Sequence, residues 1–92
     1  MHNVYAVYDK LAETIIGGLH LMANDASAIR FFSDIIQEAN SRIAAHPDDY
    51  SLISLGEVEY TNGRAVIQAA SFEVVSASAV LATLNAQKEA TT

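Results

Sequence analysis

His46-Pro47-Asp48-Asp49-Tyr50-Ser51-Leu52-Ile53-Ser54-Leu55-Gly56-Glu57-Val58-Glu59-Tyr60-Thr61-Asn62-Gly63-Arg64 reads as a turn, a long strand and a tight reversal without a break. Pro47 disfavours helix at His46, so any preceding helix is over by there. Asp48 and Asp49 suit a turn, because their carboxylates accept from nearby backbone N–H groups. Tyr50 to Tyr60 alternates like a strand, but its apolar phase changes midway. Ile53 and Leu55 share one face, whereas Val58 and Tyr60 fall on the other. Gly56 sits at the change, and one extra residue there returns all four to one face. Asn62-Gly63 is the strongest short hairpin signal, since both residues tolerate the positive φ of a type I′ turn. With those two as the loop, Thr61 pairs with Arg64, Tyr60 with Ala65 and Val58 with Ile67.

Working outward, Asn3 to Tyr8 is β-branched and aromatic, and both of its faces are apolar. That predicts a central strand, or one covered by a partner. Residues 13 to 22 read as a second strand, in which Gly17-Gly18 marks a bulge, a bend or a close backbone approach. Asn24 or Asp25 caps a helix. Ala28, Ile29, Phe32, Ile35, Ile36, Ala39 and Ile43 recur at helical spacing, which predicts a helix over about 25–42. Phe31 falls toward its polar side, as a rim residue or a partner contact. Arg30 and Asp34 are four apart and can pair on its surface. After the hairpin, Ala65 to Gln68 returns, and Phe72 to Val75 is a further short strand. Ser76 or Ser78 caps a last helix over about 78–87, with Val80, Leu81 and Leu84 inward. Gln87 to Thr92 is expected to fray.

The result is one α+β domain over residues 1–92: an antiparallel sheet of four to five strands, the main helix on one face and a short C-terminal helix. Apolar residues are 51% and charged residues 17%, so the chain can build a core rather than remain a disordered tail. It has no cysteine, which excludes disulfides and thiolate metal sites. A core this small gains from a second copy, so a homodimer is expected. Met1-His2-Asn3-Val4 lacks the basic-then-apolar pattern of a secretory leader, and no apolar run is long enough for a membrane span. The expected location is the cytoplasm.

Catalytic patterns do not emerge. No serine sits in a Gly-x-Ser-x-Gly elbow, no Lys-Ser or Lys-Thr follows Gly17-Gly18, and His46-Asp48-Asp49 matches no metal-ligand spacing. Turn chemistry accounts for those aspartates, and His20, between two leucines, reads as a surface or pore-facing residue rather than a catalyst. No enzyme, metal or cofactor is expected. Single-strand binders stack bases on sheet aromatics and steer the backbone with cations. The candidates of that kind are Tyr5, Tyr8, Lys10, Arg30, Tyr60 and Arg64. The commoner use of such tyrosines is to pack a sheet face, and the net charge of −6 works against phosphate.

Three blocks give the chain a resemblance. They are Val4-Tyr5-Ala6-Val7-Tyr8-Asp9-Lys10; Asn24-Asp25 with Ala28, Arg30 and Phe31; and His46 to Leu52 with Leu55-Gly56 and Thr61-Asn62-Gly63. In these it resembles the small non-structural protein of gokushovirus-type microviruses, which are single-stranded DNA phages. It departs at Ile15-Ile16-Gly17-Gly18, where the family has a proline-containing segment. After Arg64 the match loosens and the usual proline is missing. The resemblance implies a non-virion, DNA-binding protein of phage DNA replication or packaging, acting in the host cytoplasm without catalytic residues. The expected partners are single-stranded DNA and another copy of the chain. The alternative is an adaptor that binds a host replication or phage capsid protein through an acidic surface including Asp34, Glu38, Asp48 and Asp49.

Overall fold

The computed structural model describes residues 2–90, with side chains through Lys88. β1 spans His2–Asp9, β2 Thr14–Met22, β3 Tyr50–Thr61 and β4 Arg64–Ser76. They form one antiparallel sheet in the order β2-β1-β3-β4, so the chain is α+β. Between β2 and β3 come α1 (Asp25–Ile36), α2 (Arg42–Ala45) and a 3-10 turn over Pro47–Asp49. The last element is α3 (Ala77–Ala90).

β1 is central, as its two apolar faces require. It pairs with β2 on one side and β3 on the other. Tyr5 and Val7 face the helices, and so do Tyr50 and Leu52 of β3. They meet Ala28, Phe32 and Ile36 of α1, Ile43 of α2, and Ala77 and Val80 of α3 in one core. The caps follow from side-chain acceptors at the helix starts. Asn24 Oδ1 accepts from the Ser27 N–H at 2.9 Å, and Ser76 Oγ accepts from Ala79 at 3.1 Å.

The long helix expected over 25–42 is two pieces. α1 stops at Ile36, and Asn40 takes a positive φ of 61°. Asparagine tolerates that conformation, which reverses the chain. Ser41 then caps α2 by accepting from the Ala44 N–H at 3.3 Å. The expected Arg30–Asp34 pair does not form among the described residues.

The hairpin pairs as predicted: Thr61 with Arg64, Tyr60 with Ala65, Val58 with Ile67. Asn62 and Gly63 both have positive φ, at 53° and 77°. The register slips beside Gly56, where β1 pairs Val4 with Gly56 and Tyr5 with Ser54. Leu55 is the extra residue. A Cβ at Gly56, whose φ is +123°, would fall on the Gln68 carbonyl oxygen. Gly17-Gly18 also lies in a bulge, since Gly17, Gly18 and Leu19 stand opposite Ala6 alone.

The C-terminal part differs more. The returning segment and the further strand at 72–75 are one continuous β4, so the sheet has four strands. Two slips interrupt its pairing with β3, at Ala70-Ser71 and at Val74. The bulges absorb the loss of alternation that made the sequence look divided. α3 begins one residue early and runs on to Ala90, through part of the segment expected to fray. Thr91 and Thr92 lie outside the described residues.

Among the described residues β1 begins at His2; from Glu57 and Gln68 onward β3 and β4 run to the turn as an arm, which β1 flanks only at its base through Asn3 and His2. The arm helps to make the molecule 51 Å long and only 21 Å thick. Paired residues share a face, so Val58, Tyr60, Ala65 and Ile67 lie on one side of the arm. Glu57, Glu59, Arg64, Val66 and Gln68 lie on the other.

Candidate functional site

The six sequence candidates do not converge. Tyr5 is fully buried beneath α1, which corrects its expected role, because a ring in the core cannot stack on a base. Its hydroxyl donates to Asp25 Oδ1 at 2.5 Å and accepts from Asn3 Nδ2 at 3.2 Å. Burial raises the Tyr5 pKa first, and the Asp25 carboxylate raises it further, while the bond from Asn3 works the other way. This tyrosine ties β1 to the first turn of α1.

Tyr8 and Lys10 sit at the opposite end of the sheet from Tyr60. Tyr8 is half-buried on the helix-free face, between Ile15 and Ser51. Lys10 reaches Glu73 at 3.3 Å across the sheet, so its charge is partly answered within the chain. From Ser51, the partner of Tyr8, to Tyr60 is about 30 Å along an extended strand. Arg30 lies in another layer. It projects from α1 into a shallow groove shared with Ala79 and Thr83 of α3.

Tyr60 and Arg64 both lie beside the arm's reversal, but their side chains leave opposite faces. Tyr60 is 54% exposed, and His2 stacks on it with ring centroids 5.4 Å apart and planes 16° from parallel. No motif marks His2 in the sequence. Its role needs the β1–β3 pairing, which sets His2 opposite Val58 and so on the same face as Tyr60. The pairing also puts Tyr60 and Arg64 on opposite sides of the arm, so the guanidinium stands on the other face from the stack.

His20 also finds a ring, lying 4.6 Å from Phe31 in a tilted contact, so Phe31 is a rim residue packed within the chain. Asp48 accepts from the Ser78 hydroxyl at 2.6 Å, and the Asp49 carbonyl accepts from the Lys10 N–H at 2.7 Å. Both aspartates thus hold the turn that joins β1, β3 and α3. Among the described residues, no three His, Asp or Glu side chains gather as a metal site.

One surface was not singled out from the sequence. The helix-free face of the sheet carries a groove of about 450 Å³, lined by Val4, Leu19, Leu21, Leu55, Val58 and Ile67. The two apolar faces of β1 were the available signal. Antiparallel sheets with helices on one side commonly turn a polar face to water, and this one does not.

Among the described residues, no helix is long and apolar enough to cross a membrane. No curated protein and no solved structure matches the chain. A family model described as Phage ORF5 protein matches residues 2–80, from the start of β1 into the first turn of α3. With most of its length so matched, the chain belongs to the phage ORF5 protein family.

Proposed function

We propose that this protein is a non-enzymatic accessory factor of phage DNA replication or packaging in a microvirus of the gokushovirus type. It works in the host cytoplasm as an oligomer that touches single-stranded DNA weakly through the tip of its arm. The observation that carries this reading is the exposed Tyr60 ring, stacked on His2 and followed by Arg64 across the turn. A stacking aromatic is what a sequence-tolerant single-strand contact uses, and Arg64, on the other side of the arm, adds positive charge at the same tip. Membership of a phage family supports the phage role. The net charge of −6 keeps each contact weak, so useful affinity comes from several tips acting together.

Fluorescence anisotropy of a labelled oligothymidylate, titrated with salt, tests the reading. Tyr60→Ala should weaken binding at least fivefold, since a base–aromatic stack is worth about 1–3 kcal/mol. Arg64→Ala should lower the salt slope by about one. Equal affinity for single strands, duplex and an unrelated polyanion would remove DNA from the proposal.

The charge balance favours a second reading, an adaptor that binds a host replication or phage capsid protein. Asp34 and Glu38 are exposed around the end of α1 and could meet a basic partner, whereas the Asp48 carboxylate accepts from Ser78 within the chain. Recovery of one such protein from infected cells, unaffected by nuclease and lost on Asp34→Asn with Glu38→Gln, would favour it.

A further inference from the structure

We propose that the helix-free sheet face is a homodimer interface, on which a second copy of the chain packs face to face about a twofold axis. The inference rests on the oligomeric part of the reading above and names the surface responsible.

The shape of the face suits a copy of itself. Strand order puts Leu19 and Leu21 on one flank, Ile67 on the other, and Val4, Leu55 and Val58 between them. Leu19 and Ile67 stand out, at 63% and 66% exposed, whereas Val4 is buried at the floor. One face therefore carries both ridges and trough, the self-complementarity that an isologous contact needs.

Charge points the same way. The groove has no ionisable side chain, and on the arm Glu57, Glu59 and Arg64 project from the opposite side. Two copies of net charge −6 can therefore bring their grooves together, with Glu73 on the same face outside the groove and answered by Lys10 at 3.3 Å. The apolar residues are also contiguous. Leu19, Leu21 and Ile67 are each more than half exposed and flank Val4, Leu55 and Val58 in one groove, and a continuous apolar patch of a few hundred Å² marks an interaction site. Finally, among the described residues the arm is flanked only at its base, by His2 and Asn3 of β1, and a two-stranded ribbon by itself is marginal in water.

Sedimentation equilibrium of the full chain, without DNA, decides the matter. The wild type should weigh twice its 9.9 kDa at tens of micromolar. Ile67→Glu should weaken association at least tenfold while far-UV circular dichroism stays unchanged. Val66→Glu, one residue away on the opposite face, should leave the dimer intact. If Ile67→Glu fails to fold, Leu19→Glu on the other flank serves as the same test. A monomeric wild type would overturn the inference and leave the face to a different partner. Equal damage from Val66→Glu, or association that survives both groove variants, would also overturn it. A dimer without DNA affinity would sink the DNA reading alone, and a monomer that binds DNA would sink this inference and the oligomeric part of that reading while leaving the DNA contact standing.

Discussion

The body and the arm are built from the same two strands, yet they live in different surroundings. In the body, Tyr50, Leu52 and Ser54 of β3 are buried on the helix side. In the arm, Glu57 to Thr61 alternate just as regularly, and four of the five are exposed. Alternation assigns side chains to faces, but only a further layer removes a face from water. α1, α2 and α3 provide that layer over one side of the body and stop short of the arm. Stability should therefore be concentrated where the helices are, and binding where they are not.

Phe32→Ala should produce the largest effect. The ring is fully buried between α1 and the sheet, and its loss should cost about 3–5 kcal/mol in chemical denaturation. A small loss would mean that the body is not the stable half. Gly56→Ala strikes the junction of the two regions. Backbone strain of about 1–3 kcal/mol is joined by a clash with β4 at Gln68. Hydrogen exchange should show the arm amides losing protection while those of β1 keep theirs. Uniform loss would make arm and body one cooperative unit.

Tyr5→Phe comes next, at about 1–2 kcal/mol, because it removes a hydrogen bond to a carboxylate at the edge of the core. It also sets a pH dependence. The folded pKa of Tyr5 is raised above the ordinary tyrosine value of about 10, so the folded state holds the proton more tightly. That contribution is fully present below about pH 10 and is lost as pH rises through the folded value. Denaturation midpoints should fall there in the wild type and fall less in Tyr5→Phe. Val66→Ala, on the polar side of the arm, should change stability by less than about 0.5 kcal/mol. A larger cost would show the arm to be packed on both sides.

Much of this division was legible in the sequence, and the exceptions have physical causes. Asn62-Gly63, the re-phasing at Gly56 and the cap at Asn24 are local signals, and each appears where it was expected. The break at Asn40 was missed because Ile43 keeps the apolar spacing of α1 across it, so periodicity outvoted a residue that tolerates the reversed conformation. β4 looked like two strands because its bulges spoil alternation. The site was harder. An apolar strand with two greasy faces cannot say which face receives the helices, and so Tyr5 looked available when it is buried. His2 becomes interesting only once β1 is paired with β3, a relation that joins residues far apart in sequence.

That same pairing bears on how the protein is made. Tyr5 stands opposite Ser54, so the central strand's second partner is roughly fifty residues downstream. As the chain leaves the ribosome, β1 and β2 can form only a lone hairpin, which is marginal by itself. The sheet closes only when β3 has been synthesised and α1 laid down between them. The slow step in folding should then be this long-range closure, and weakening the β1–β3 seam should slow folding more than weakening the arm.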